Sequence, residues 1–424
     1  MIDLTDLSLD LPPGFERAPE TAPTFIPSPT GEDFIRAVMH GPAEEMRLIR
    51  LQSPRGEGKA LAHGTRVLTP TMWIKVEDVR IGDLLFTADG TPTQVSGVFP
   101  QPLQPLWRLV LSDGTSAITT GEHLWAVTTA RGVRRLVTTL EIADRLTKCP
   151  SHPWTIPLTG TVQFPAQSIP LHPYLLGALL GDGNLTRSGL VRLAVTEHPI
   201  RDAVLQALPR GTELMQDSKW GVRIVGIPRS TAWGSNPVVN AIRALGLAGC
   251  RATTKFIPPV YLFNSVDVRL AVLQGLLDTD GHAYVRNSVE FTSISPALLE
   301  GVQFLVRSLG GITRKPHSDH HAMRLTIRLP NAFAPFRLPR KAARLHRPAS
   351  MRNAKRTVMA VEPVGEGFST CLKIAHPSGL FLIEDFIVTH NTTSAIWACV
   401  ALAQRMEREG KSGLLPIVCA VVRD

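Results

Sequence analysis

Between residues 60 and 129 the apolar positions come in short bursts. Leu84-Leu85-Phe86, Val95-Ser96-Gly97-Val98 and Trp107-Arg108-Leu109-Val110-Leu111 are separated by the turn formers Asp83, Asp89-Gly90 and Asp113-Gly114. This rhythm predicts short strands in a compact all-β module. From 171 to 330 the pattern changes, and a nonapeptide recurs: Leu175-Leu176-Gly177-Ala178-Leu179-Leu180-Gly181-Asp182-Gly183 returns as Leu273-Gln274-Gly275-Leu276-Leu277-Asp278-Thr279-Asp280-Gly281. Strand-like pieces follow each copy, then helical stretches at 199–208 and 296–309, so two helix–hairpin–helix units related by a pseudo-twofold are expected. A basic run from Arg337 to Arg347 leads to a second short β-like segment at 357–391. At the ends, 1–30 reads as an extended arm and 31–52 as a helix. Residues 392–409 carry a helical apolar period closed by Gly410, and Leu414 to Val422 reads as a buried strand.

A chain of 424 residues has room for two to four domains. The net charge of +9 and pI near 9.6 favour a polyanionic partner, nucleic acid being the simplest, although a solvated surface alone gives the same balance. Five widely spaced cysteines with no CxxC pair argue against a disulfide framework and a zinc site, and fit a reducing cytoplasm. Met1 leads into an acidic, Pro-rich stretch, so no secretory signal is read, and no apolar run approaches a bilayer span.

Ser53-Pro54-Arg55-Gly56-Glu57-Gly58-Lys59 is most of a phosphate-binding loop, but the Ser/Thr that should follow the lysine is missing. That residue stands far downstream, in His390-Asn391-Thr392-Thr393-Ser394, ahead of the helical stretch. Removing the 332 residues from 60 to 391 (391 − 60 + 1) closes the loop. The arrangement resembles an ATPase gene interrupted by an intein, with exteins 1–59 and 392–424. On that reading Gly56, Gly58, Lys59 and Thr392 bind ATP and Mg²⁺ only after splicing. With Ser53 at the first glycine position, the loop resembles that of phage terminase large subunits. The resemblance implies a phage packaging complex in the cytoplasm of a phage-infected or prophage-carrying bacterium; another P-loop motor, such as a helicase, stays open.

Residues 60–165 and 346–391 resemble the two halves of a Hint-fold splicing module. At the downstream end, Asn391 can attack its own carbonyl to form a succinimide, His390 can polarise that carbonyl or protonate the leaving amine, and Thr392 supplies a hydroxyl nucleophile. Upstream, Thr120-Gly121-Glu122-His123 matches the family's TxxH motif, whose Thr and His activate the first scissile bond, here Lys59–Ala60. Most inteins begin with Cys or Ser, and Ala60 has no nucleophile. Trp125, Cys371 and Thr389 resemble the trio of class 3 inteins, which implies direct attack of Cys371 on the Lys59 carbonyl and splicing without a cofactor. A conventional intein disabled by Ala60 is the alternative. The His often found before the last strand is replaced near Gly379, with His376 close by.

Residues 166–345 resemble the LAGLIDADG (dodecapeptide) homing endonucleases. The whole is thus expected to be multi-domain: an all-β Hint module, an inserted α/β pseudo-twofold endonuclease, and flanking fragments of a P-loop α/β ATPase. The resemblance implies that Asp182 and Asp280 end the paired helices, bind Mg²⁺ and face the scissile phosphates, with Lys255 as an electrostatic helper. It also implies a double-stranded DNA partner, the homing site in the intein-free host gene, and no membrane. Arg187, Arg192, Arg223, Arg314, Lys315, Arg324 and Arg328 are candidate phosphate contacts or a solvated strand face. His317, Asp319, His320 and His321 are read as a polar turn rather than a metal cluster.

Overall fold

The computed structural model describes residues 59–185, 190–195, 197–227, 236–284, 288–319, 322–345 and 355–390. The halves of the phosphate-binding loop, the helices expected at 31–52 and 392–409, Asn391, Thr392 and Arg187 lie outside the described residues. Two buried clusters organise the rest. One gathers residues 61–164 and 358–388 together with Phe263, the other residues 171–338.

The first module is built from β1 (Leu61–Ala62), β2 (Arg66–Leu68), β3 (Trp73–Lys75), β4 (Leu84–Phe86), β5 (Pro92–Leu111), β6 (Ser116–Thr120), β7 (Leu124–Thr128), β8 (Arg134–Thr138), α1 (Thr139–Lys148) and β9 (Thr155–Ile156). After the second module it resumes with strands later in the chain, β19 (Arg356–Ile374), β20 (Leu380–Ile383) and β21 (Ile387–His390). One sheet runs β4-β5-β6-β1-β19-β9-β7-β8 and a second runs β21-β20-β2-β3. The short strands expected at 95–98 and 107–111 are one strand, paired with β19 from Val95↔Ile374 to Leu111↔Val358. Pro100, Pro102 and Pro105 interrupt the strand signal, yet over this stretch β5 pairs only with β19, and a missing N–H is tolerated on the free edge.

The second module opens with α2 (Pro173–Asp182), β10 (Gly183–Leu185), β11 (Val191–Ala194), α3 (His198–Gln206), β12 (Thr212–Ser218), β13 (Gly221–Gly226) and α4 (Pro237–Ala244). A short turn of helix, α5 (Pro259–Leu262), precedes α6 (Val266–Asp280), β14 (Gly281–Tyr284), β15 (Ser288–Ser293), α7 (Pro296–Ser308), β16 (Ile312–Thr313), β17 (His317–Asp319), β18 (Ala322–Arg328) and α8 (Pro339–Ala342). The sheets β10-β11-β13-β12 and β14-β15-β18-β16 repeat one order, with four strands per repeat on the main path where sequence periodicity showed a single hairpin. His317–Asp319, expected as a turn, is an edge strand on β18, because pairing with Ala322–Arg324 outweighs its polar composition.

Helices α2 and α6 pack together at the centre. Leu175, Leu176, Leu179, Leu180, Leu273, Leu276 and Leu277 are all buried, and α6 also buries the polar side chains of Arg269, Gln274 and Asp278. A Cβ on Gly177 would stand 2.2 Å from Val272 O, and one on Gly275 would stand 2.4 Å from Tyr174 O. Backbone touches backbone there, and only glycine fits.

Candidate functional site

Ala60 is fully buried. Its N–H donates to Thr120 Oγ1 at 3.0 Å, and its carbonyl accepts from the Thr120 N–H at 3.0 Å and from Thr120 Oγ1 at 3.3 Å. The next residue, Leu61, pairs with Thr119 of β6 on one side and Thr370 of β19 on the other. One step back along that antiparallel register sets the partly exposed thiol of Cys371 across from Ala60. His63 Nε2 meets Thr370 Oγ1 at 3.1 Å and further ties β1 to β19.

The far end of the same segment arrives on β21. Thr389 is wholly buried, and its Oγ1 lies 2.5 Å from His123 Nε2. His123 follows the Thr120 clamp by one turn, so a single bend at the end of β6 serves both ends of the segment. Burial and the charge of nearby His390 push the His123 pKa down to about 3, while the Lys59 backbone acts the other way. Burial, then the Lys59 charge, lowers His390 to about 4, and its Nδ1 is buried without a partner among the described residues. Both imidazoles are therefore neutral at physiological pH.

Trp125 is fully buried. Its Nε1 donates to Thr139 Oγ1 at 3.0 Å, and its ring meets the His123 ring edge-on at 5.1 Å. Thr139 also stands 3.0 Å from Thr119 Oγ1, and its N–H donates to the His123 carbonyl at 3.0 Å. Thr139 was missed from sequence. It sits at the start of α1 beside the Thr138–Glu141 capping box, where a threonine reads as a helix signal and nothing more. The structure thus joins Ala60, Thr120, His123, Trp125 and Thr389 in one hydrogen-bonded group, and Cys371 reaches it through strand register. His376 is in a turn, its N–H on Thr93 and its Nδ1 2.8 Å from Ser378 Oγ.

The second constellation lies where α2 and α6 end. A Cβ on Gly181 would touch Thr279 Oγ1 at 2.0 Å and Asp280 Oδ2 at 3.1 Å, so the two helix ends are in direct contact. Burial, then the Asp182 charge, raises the Asp280 pKa to about 6, against the pull of Lys255 and Lys341. Asp182 keeps a solvent-open side and is raised by burial, with Lys255 and Lys341 opposing. Lys255 Nζ donates to the carbonyls of Leu179, Gly181 and Gly183 at 3.2, 2.7 and 2.8 Å. Lys341, in the basic run before the second β-segment, caps α6 the same way, donating to Leu277, Asp278, Thr279 and Gly281. It was missed because the run reads as a linker. Its neighbour Arg340 binds Glu197, and the Arg337 guanidinium reaches Gln274 Oε1 at 2.7 Å. Asp278 is structural: it accepts from Tyr174 Oη at 2.9 Å and from the Leu338 N–H at 3.1 Å.

Residues 267–328 match the family described as LAGLIDADG-like domain. The chain carries a LAGLIDADG-like domain. The match spans α6 and its repeat sheet, and the α2 copy repeats that sheet order. Further relatives cover more of the chain. A replicative DNA helicase DnaB of Mycobacterium intracellulare is 29% identical over 374 residues, 80% of this chain. The chain spans 59% of that relative's length. Two solved structures overlap 78% of the chain and all of their own: the MchDnaB-1 intein (13% identity, TM-score 0.25) and the Msm DnaB1 intein splicing domain bound with zinc (12%, 0.26).

Of the candidate phosphate contacts flanking the LAGLIDADG-like helices, Arg192 pairs with Asp217 at 2.9 Å and Arg324 with Glu290 at 3.4 Å, and Arg223 Nη2 lies on Met215 S. Arg314 donates its N–H to the Thr326 carbonyl, and Arg328 lies across from Ile312 in the same sheet. Lys315 packs against Gly114 of the first module, since a Cβ there would meet Lys315 Cβ at 2.9 Å. No cluster of three or more His, Cys, Asp or Glu gathers among the described residues. Asp182 and Asp280 are the carboxylates that stand at the two helix ends. Among the described residues no helix is long and apolar enough to cross a membrane.

Proposed function

We propose that the chain is an intein precursor that splices itself and whose inserted domain is a double-strand DNA endonuclease. The observation that carries the splicing reading is the junction of the segment's two ends. Thr120 clamps Ala60, and His123 bonds Thr389, 329 residues further along (389 − 60).

In the first step the Cys371 thiolate adds to the Lys59 carbonyl carbon. The S–C bond forms, the Lys59–Ala60 C–N bond breaks, and the Ala60 nitrogen leaves with a proton relayed by His123. Thr120 orients the departing amide through the bonds it makes to Ala60. Thr392 Oγ then takes the acyl group and releases the Cys371 thiolate. The Asn391 side-chain nitrogen attacks its own carbonyl, giving a succinimide and freeing the Thr392 amine, with neutral His390 moving the proton. That amine displaces the ester oxygen and leaves a Lys59–Thr392 peptide. Trp125 takes no proton; it fixes the His123 ring. The class 3 route rests on Cys371 standing in register with Ala60. The alternative, a conventional intein disabled at Ala60, leaves Cys371 inert.

Intact mass of the expressed chain beside a Cys371→Ala variant tests this. Loss of residues 60–391 with ligated Lys59–Thr392, absent from the variant, is expected. A full-length mass in the parent sinks the splicing reading.

For the inserted domain, the carboxylates of Asp182 and Asp280 suit a divalent cation, because their mutual repulsion and burial, which lift Asp280 to about 6, are relieved by positive charge. Mg²⁺ bound there would supply Lewis-acid activation of water and of the leaving oxygen. Lys255 and Lys341 hold the helix ends that aim these carboxylates. The intended partner is duplex DNA at the intein-free host gene. For the host we infer a cytoplasmic P-loop ATPase using Gly56, Gly58, Lys59 and Thr392 to bind ATP and Mg²⁺. Ser53 supports a terminase-like packaging motor, and the DnaB name of the relative supports a helicase. Duplex unwinding by the spliced host separates the two.

A further inference from the structure

The turn Glu384–Phe386, between β20 and β21, holds two successive non-glycine residues in the left-handed region: Asp385 at φ 59° and Phe386 at φ 56°. A Cβ in this conformation crowds the following carbonyl, so one such residue is unfavourable and two in a row persist only where their surroundings hold them. Two holders are visible. Arg356 of β19 donates from Nη1 to Phe386 O at 2.7 Å and from Nη2 to Asp385 O at 2.6 Å, and is itself fixed by Asp113 Oδ2 at 2.7 Å. The second holder comes from the other module. Arg307 of α7 forms an ion pair with Asp385, and Phe304, one turn earlier on α7, packs edge-on against Phe386 with ring centroids 5.0 Å apart. Trp73 and Phe164 complete that aromatic contact.

β21 starts at the next residue, Ile387, and Thr389 and His390 follow within it. Side chains alternate faces along a strand, so a turn that relaxes to ordinary φ values re-aims both at once. We propose that Arg307 and Phe304, although they belong to the inserted domain, are positioning residues for splicing: they hold the Glu384–Phe386 turn in the conformation that presents Thr389 to His123 and His390 to the downstream junction. The proposal rests on the splicing reading above.

The test uses the full chain. Arg307→Met should slow formation of spliced product about tenfold, the share of the left-handed penalty that one contact holds. Glycine adopts φ > 0 without crowding. Adding Asp385→Gly to Arg307→Met should therefore restore most of the rate, though it restores no contact between the modules. Arg307→Lys, which keeps the charge, should stay within a few-fold of the parent. If the parent does not splice, the splicing reading itself fails. If the parent splices and Arg307→Met matches it, or Asp385→Gly gives no rescue, the positioning role is overturned while the splicing reading stands.

Discussion

Lys341 stands to α6 as Lys255 stands to α2. Lys255 Nζ binds the carbonyls of Leu179, Gly181 and Gly183, and Lys341 binds those of Leu277, Thr279 and Gly281. Each pair of acceptors is 98 residues apart (277 − 179, 279 − 181, 281 − 183), the spacing of Asp182 and Asp280. The lysines themselves are 86 apart (341 − 255), so the symmetry belongs to the folded helix ends rather than to the sequence spacing of the donors.

Leu179 O and Leu277 O keep the N–H of Gly183 and Gly281, but replacing either lysine by Met removes the ammonium donor from the other carbonyls of that helix end, at about 1–3 kcal/mol for groups left unsatisfied. Lys341→Met should lower the unfolding midpoint as much as Lys255→Met does, and both should reduce DNA cleavage. A Lys341→Met protein with parental stability and cleavage would show that the second lysine is an incidental contact.

Asp280 has a folded pKa raised to about 6 from the ordinary 3.8 of a free aspartate, chiefly by burial and by Asp182. The stability linked to its protonated form is complete below pH 3.8 and is lost as pH rises through about 6. Asp280→Asn should therefore stabilise the inserted domain at pH 8 by roughly 1–3 kcal/mol and abolish cleavage. In the parent, cleavage should rise with pH through about 6. Urea titrations at pH 4 and pH 8 check the sign, and an Asn variant no more stable at pH 8 contradicts it.

His123 and His390 run the other way. Their pKa values, depressed to about 3 and about 4, give the first module stability that is present above pH 6.5 and lost as pH falls through 4 and 3. Thr389→Val removes the oxygen facing His123 Nε2 and should slow splicing at pH 7 by about tenfold or more, as loss of a buried hydrogen bond to a reacting group does. Timed mass spectra at pH 7 measure it; parental kinetics in the Val variant would remove Thr389 from the site.

Gly177→Ala or Gly275→Ala puts a methyl 2.2–2.4 Å from a backbone carbonyl of the facing helix. Neither backbone can move alone, so each should cost at least about 1–3 kcal/mol and displace Asp182 from Asp280. The calorimetric transition of the inserted domain should fall and cleavage should go with it. An unshifted transition would mean that the helices do not pack at these glycines.

The repeated nonapeptides were readable because the leucines that bury the helix pair recur at one spacing, and glycine is required where backbones meet. The helices His198–Gln206 and Pro296–Ser308 fell within two residues of their periodic patterns at either end. The long β5–β19 ribbon was not readable. Its prolines and its exposed Phe99, Leu103, Met359 and Phe368 break the alternation, since the middle of a two-stranded ribbon has no core to face.

Sequence alone determined which residue types stand at the ends of the segment and of the paired helices: Ala60 without a nucleophile, a TxxH turn, Thr389-His390, and two acidic helix ends. These are local properties, set by residue type and short spacing. Only the tertiary structure decided that Thr139 holds Trp125, that Lys341 matches Lys255, and that Arg307 reaches Asp385. Those partners are separated by 14 to 86 residues in the chain, and contacts at such distances follow from how sheets and helices close on one another rather than from any periodicity in the sequence.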